Sequence, residues 1–335
     1  MNKPDFSDAE KQLLMAVHQA TRNNGKPGRE TLREFGKAFF GDDLADWNDA
    51  FANLTERELL REVSEVFSLS EPGREYAREL VMDDFNKGFS KHLLRCEQSR
   101  THSLFCERVY GKNLCQCDMM DMEQLQMLLE ILSLGNSSRV LELGCGIGAI
   151  AEYISDETGA RIVGIDIAEG AVARAHERTA EKRDRLTFQV GDMNAIDFPE
   201  ARFDTIISID TLYFVENIEQ TVARMRTVLQ PGGQMGVFYS EIARPEHSKE
   251  VLLADNTKFA QALKKHNLNF RTYDYTANDE TFWTRSRATA EELKSDFEAE
   301  GNLEMYKGLV EESERLLEVI SSGRSSRYLY HVRQD

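Results

Sequence analysis

Long apolar stretches are missing from this chain. No run of about 18 apolar residues occurs in its 335 positions, which excludes a membrane-spanning helix. The opening residues, Met1-Asn2-Lys3-Pro4-Asp5-Phe6, lack the apolar core of a secretory signal. Cysteine is scarce: there are five, an odd number with no secretory spacing. Reduced thiols and a cytoplasmic location are therefore the default. Positive charge is short as well, with 41 Lys and Arg against 58 Asp and Glu and a net charge of -17. That balance argues against a surface that tracks nucleic-acid phosphates and against an acidic membrane as partner. Repeats, low-complexity tracts and long Gly/Ser linkers are absent too. The 41% apolar share is that of a globular protein with room for two domains and a sizeable core.

The densest information lies in Val140-Leu-Glu-Leu-Gly-Cys-Gly-Ile-Gly-Ala-Ile150. A short apolar run, 140–143, predicts a buried strand. It breaks into Gly144, Gly146 and Gly148, and a helix-prone run follows from Ala149. Glycines at alternate positions permit a tight turn and the close approach of a ligand to the backbone. Gly144, Gly146 and Ala149 also satisfy the dinucleotide fingerprint, with Asp166 about 20 residues further on.

The next ninety residues alternate strand and helix patterns. Strands are expected over 161–166, 186–190, 204–209 and 235–239, with helices over 168–184 and 216–229 and a Pro231-Gly-Gly turn. Such alternation implies a parallel sheet covered on both faces, with ligands at the carboxyl ends of its strands. Further on, a helix is expected over 247–266 and strands over 270–275 and 327–333. The stretch between those strands, about 279–325, reads as a helical insertion that caps the acceptor side.

The ordered series (the glycine turn, Asp166, Gly191-Asp192, the Asp210–Tyr213 loop and Pro231-Gly-Gly) resembles the motifs of class I S-adenosylmethionine-dependent methyltransferases, strongly over about 136–240. The resemblance implies a Rossmann-like seven-stranded sheet, mostly parallel, whose last strand is antiparallel. It implies S-adenosyl-L-methionine as cofactor and a small-molecule acceptor, methylated by in-line displacement. Glu142 would meet the cofactor's ammonium group. The turn of Gly144, Cys145, Gly146 and Gly148 would line its methionine part, with Cys145 there for its small size. Asp166, with Ile167 beside it, would hold the ribose hydroxyls. Asp192 and Met193 would meet the adenine, and Ile209 would open the loop near the sulfonium. Catalytic candidates are Tyr213, Asp210 and His247, with Glu241 a further base. The Asn-Pro-Pro-Tyr loop of many nucleic-acid and protein amide methylators is replaced by Asp210-Thr-Leu-Tyr213. With the acidic charge, that points to a small acceptor. Aromatics at Tyr213, Tyr239, Tyr273, Tyr275, Phe282 and Trp283 could hold a cation or simply pack.

Residues 1–80 read as a separate unit. Helices are expected over 6–21, 31–40 and 44–53, Ser7 capping the first. A further helix, a short hairpin ending at Leu69 and a helix opened by Ser70 resemble a winged helix. DNA binding is the obvious role for such a unit, but 11 Lys and Arg against 16 Asp and Glu, with Asp42, Asp43, Asp46 and Asp49 together, make a poor face for phosphates. A dimerisation or lid role is favoured, the former giving a homodimer. Residues 81–135 are expected to fold over the cofactor, with Tyr110 and Gln124 reaching it. Cys96, Cys106, Cys115 and Cys117 invite a zinc site or a trivalent arsenic acceptor. The paired C-x-x-C spacing is absent, and buried, inert thiols with no metal are the expectation. Two other functions remain open: a DNA-binding regulator with a ligand-sensing α/β domain, and an NAD-dependent oxidoreductase.

Overall fold

The computed structural model describes residues 4–22, 26–41 and 44–334. Asp42 and Asp43 of the expected acidic helix lie outside these residues. The chain divides into two compact units at Gly88.

The first unit holds helices α1 (Asp8–Arg22), α2 (Arg29–Phe40) and α3 (Asn48–Glu56), then the antiparallel hairpin β1 (Leu60–Val63) and β2 (Val66–Leu69). Ser7 and Glu10 cap α1 reciprocally: the Glu10 N–H donates to Ser7 Oγ, and the Ser7 N–H donates to the Glu10 carboxylate. The hairpin turn places Ser64 and Glu65 both at positive φ, the geometry that matches the twist of paired strands. Leu13, Leu14, Val17, Leu32, Trp47, Phe51, Leu54, Leu60 and Phe67 form the core. Helix α3 starts four residues later than the sequence predicts. Gln12 explains this, because its Oε1 accepts from the Ala45 N–H and from Trp47 Nε1 and holds the segment before Asn48 as a loop.

Helix α4 (Glu71–Gln98) crosses the boundary. The second unit continues with α5 (Arg100–Tyr110), α6 (Met122–Leu132), β3 (Arg139–Leu143), α7 (Ala149–Thr158), β4 (Arg161–Asp166), α8 (Glu169–Arg178), β5 (Leu186–Val190) and β6 (Phe203–Ile209). Then follow α9 (Ile218–Val228), β7 (Leu229–Ile242), α10 (Lys258–Lys265), β8 (Asn269–Asp274), α11 (Thr276–Glu292), α12 (Lys294–Ala299), α13 (Leu303–Ser321) and β9 (Ser325–Arg333). The seven strands run in the order β5-β4-β3-β6-β7-β9-β8. Strands β3 to β7 are parallel, and β9 inserts antiparallel between β7 and β8. This is the Rossmann-like mixed sheet expected above. The strand order reverses between β3 and β6, so the crevice for a ligand opens at their carboxyl ends.

Two differences bear on the site. The helix expected over 247–266 is only α10. The chain before it is pinned as a loop by Arg324, whose guanidinium donates to the carbonyls of Ala243, Arg244 and His247. The stretch 81–135 is no separate body. Its helix α5 packs Phe105, Val109 and Tyr110 against Phe282, Trp283, Leu293, Phe297 and Met305 of the helical insertion between β8 and β9.

Candidate functional site

The glycine turn is fixed by its neighbours. The N–H groups of Gly144 and Cys145 donate to the Ile165 carbonyl at 2.8 and 3.0 Å. The Gly146 N–H donates to Asp166 Oδ2 at 2.8 Å. Gly144, Gly146 and Gly148 all have positive φ. A Cβ on Gly144 would lie 2.5 Å from Thr211, and one on Gly148 would lie 2.6 Å from Phe188. At Gly146 a Cβ would meet Leu93 at 3.7 Å, an ordinary contact, so the middle of the turn is less crowded than its ends. Cys145 packs its thiol against Gly164, and burial raises its pKa far above the usual thiol range.

Acids gather at the strand ends. Glu142 on β3 is 3% exposed, and its Oε2 has no hydrogen-bond partner. Burial, then the neighbouring Asp166 and Asp118, push its pKa up to about 8. Asp166 accepts the Gly146 N–H on one oxygen and the Ala168 N–H on the other, at 2.9 Å. Each oxygen keeps a lone pair for a ligand. Its pKa is raised by burial against these backbone donors. Asp192 caps a short turn through Asn194. Met193 and Ile167 are half-buried and Ile209 is buried.

A second cluster centres on Arg327, the third residue of β9, which is fully buried. Its Nε and Nη2 donate to the two oxygens of Asp210 at 2.9 and 2.6 Å, and its Nη1 donates to Gln124 Oε1 at 2.8 Å. Asp279 Oδ1 lies 3.7 Å away, and the guanidinium sits 4.7 Å over the Phe238 ring. Burial opposes the charge on Arg327, but Asp210 more than compensates, and its pKa rises. Asp118 and Asp279 are both pushed up to about 7, by burial first. Three carboxyl groups, Asp210, Asp279 and Asp118, thus act on Arg327, and Asp118 and Asp166 in turn act on Glu142.

These contacts bear on four sequence-based expectations. Asp210 is no free base, since both its oxygens are held by Arg327 and one also accepts the Met119 N–H. Gln124 gives its Oε1 to Arg327. Tyr110 gives its hydroxyl proton to the Asp118 carbonyl at 2.9 Å and packs edge-on against Phe282, so it belongs to a core. His247 lines a different cleft, with Glu241, Arg244 and residues of α9 and α10, which no residue of the glycine turn touches. Tyr213 remains accessible at 39% exposure, with Phe214 tilted against it at 4.6 Å. The other aromatics pack: Tyr239 stacks on Phe259, Tyr275 meets Phe238, and Phe282 meets Trp283. Arg327, Asp118 and Asp279 were missed. A cation opening an alternating strand was the one legible hint.

Residues 140–233 match the family profile of the methyltransferase domain. The chain carries a class I methyltransferase domain. Phosphoethanolamine N-methyltransferase 3 of Arabidopsis thaliana is 27% identical over 155 residues, 46% of this chain and 31% of that protein. Sterol 24-C-methyltransferase ERG6B of Gibberella zeae is 33% identical over 137 residues, 40% and 35% of the two chains. The matches thus span about a third of the length of these curated relatives. Among solved structures, phosphoethanolamine N-methyltransferase 2 of Haemonchus contortus, with phosphomonomethylethanolamine and S-adenosylhomocysteine bound, superposes with a TM-score of 0.60 at 21% identity. It covers 73% of this chain and 60% of its own. Among the described residues, no helix is long and apolar enough to cross a membrane.

Proposed function

We propose that this chain binds S-adenosyl-L-methionine at the glycine turn and transfers its methyl group to a small acceptor. The observation that carries this reading is Glu142: a buried carboxylate with an unpartnered oxygen on the strand that runs into the glycine turn. An unpaired buried acid is costly, and a cation seated there relieves the cost. The ammonium of the cofactor is such a cation, and Asp166 offers its spare lone pairs to the ribose hydroxyls. Asp192 and Met193 take the adenine edge and face, with Ile167 and Ile209 as apolar walls. The cofactor supplies a methyl group on a positively charged sulfur, so the protein's task is alignment, which can contribute about 7–11 kcal/mol to lowering the barrier.

The excess of carboxylates favours an acceptor that carries an amine, in line with the ethanolamine group in the names of several relatives. With Asp210 committed to Arg327, the residue suited to hold an acceptor's proton is Asp118. Its Oδ1 accepts the Met120 N–H, which leaves Oδ2 for a proton, and a pKa of about 7 is well placed for a base at neutral pH. Tyr213 is an exposed aromatic on the same loop as Asp210 and lines the acceptor side. The N-terminal unit is a dimerisation or lid module in this reading.

A thermal-shift panel tests the cofactor. S-adenosylhomocysteine at about a hundred times its Kd adds roughly 2.7 kcal/mol to the stability of the native state, and NAD adds none. Stabilisation by NAD and not by S-adenosylhomocysteine would overturn the proposal in favour of an oxidoreductase.

A further inference from the structure

His92 and Cys96 stand four residues apart on α4, hence on one helix face. Cys117 comes from the loop after α5. Their ligand atoms all lie within 4.8 Å of one another, and Cys96 Sγ is 3.4 Å from His92 Nε2. In a tetrahedral zinc site with ordinary bond lengths, neighbouring donors are about 3.5 Å apart. The sequence spacing hid this group, because one partner is a histidine and the third ligand arrives from a separate loop.

The loop that delivers Cys117 is braced. Gln116 is buried, accepts the Leu114 N–H on Oε1 at 2.8 Å and donates from Nε2 to the Lys112 carbonyl at 3.2 Å. Asn113 takes the Cys115 N–H, and Cys115 turns the chain at positive φ. Cys96 is buried, while His92 and Cys117 are exposed. With two of the three residues exposed, water can reach the group, as an open rather than a purely structural site requires. Cys106 does not join them; its thiol lies against His102 at 3.6 Å.

We propose that His92, Cys96 and Cys117 form a site for a soft divalent cation of the zinc class, with one coordination position left for water or a small ligand. Two thiolates and an imidazole are the donor set that zinc accepts and that calcium and magnesium do not. The thiols lose their protons to solvent on binding. Asp118 follows Cys117 directly, and the Met119 N–H holds Asp210. A bound ion would therefore anchor the segment that carries the proposed base. The site stands on its own geometry and does not depend on the methyl-transfer reading.

The test uses the full chain, stripped by chelator under reductant and titrated with Zn2+ and Co2+. One Zn2+ per chain should survive gel filtration. Co2+ should give thiolate charge-transfer absorption with the strong visible bands of a tetrahedral site. Cys96→Ser, Cys117→Ser and His92→Ala should each weaken binding by about a hundredfold or more, as expected on losing a ligand, while Cys106→Ala keeps it. Should a variant fail to fold, the unaltered protein still decides: Zn2+ must protect the exposed Cys117 from alkylation, read on its own peptide. Retention well below one ion per chain, an unprotected Cys117, or binding unchanged in folded Cys96→Ser and Cys117→Ser would overturn the proposal.

Discussion

Glu142 shows at the scale of one residue how stability and binding trade against each other. Its pKa is raised in the folded chain to about 8, above the ordinary carboxyl value near 4.3. The folded state therefore binds more protons than the unfolded one between those values, and stability falls as pH rises through that window. Asp118 and Asp279, both pushed up to about 7, act in the same direction. Replacing Glu142 by Gln removes the buried charge while keeping the shape. The ligand-free variant should gain stability at pH 8, about 2–4 °C in Tm for each kcal/mol of relieved charge burial, and gain little at pH 5. Its affinity for S-adenosylhomocysteine should fall by about tenfold or more, because a charged partner is lost. Calorimetry and a melting series over pH check both halves. A variant that neither gains stability at pH 8 nor loses affinity would make Glu142 a bystander.

Element by element, legibility followed the kind of force involved. Strands β3, β4, β6 and β7 are readable because burial on both faces writes continuous apolar runs, and the edge strand β5 by its alternation of buried and exposed residues. The glycine turn was readable because its conformation excludes side chains. Loops fixed by a distant polar group were not: Gln12 displaced the start of α3, and Arg324 dissolved the first part of the helix expected from 247. For the same reason Asp210 looked free in sequence, since Arg327 lies 117 residues further on. The turn's sterics give a direct check. Gly144→Ala places a methyl 2.5 Å from the Thr211 side chain at a φ of 78°, so it should cost about 1–3 kcal/mol in urea unfolding. Thr211→Ala removes the nearest atom. The double variant should recover a part of that loss, leaving the backbone strain, and the coupling between the two sites should exceed about 0.5 kcal/mol. Strict additivity would show that the clash is relieved by movement elsewhere.

Across the whole molecule, composition excluded more than it identified. Charge and the missing apolar runs narrowed the partners, and the motif order pointed to the cofactor. The acceptor stayed illegible because no single spacing encodes a cluster such as that of Arg327, whose partners Asp210, Gln124 and Asp279 come from three separate segments. The N-terminal unit shows how charge and fold pull apart. Three helices and a hairpin have the element order of a winged helix, a shape that elsewhere docks on DNA. Duplex binding needs several unengaged cations, each releasing counterions from the phosphates. Here four arginines already have partners within the unit. Arg29 lies over the rings of Phe51 and Phe67, Arg57 covers Phe6 and pairs with Glu10, Arg33 donates to Asn48, and Arg74 donates to the Leu69 carbonyl. Asp46 and Asp49 add like charge to that of the phosphates, and the whole chain carries -17. The full-length protein should therefore leave the anisotropy of a labelled duplex unchanged up to about 10 μM at near-physiological salt, where nonspecific binders give Kd values of roughly 10⁻⁴–10⁻⁶ M. Micromolar binding that weakens steeply between about 50 and 200 mM salt would reverse this assignment and restore the regulator reading of the N-terminal unit.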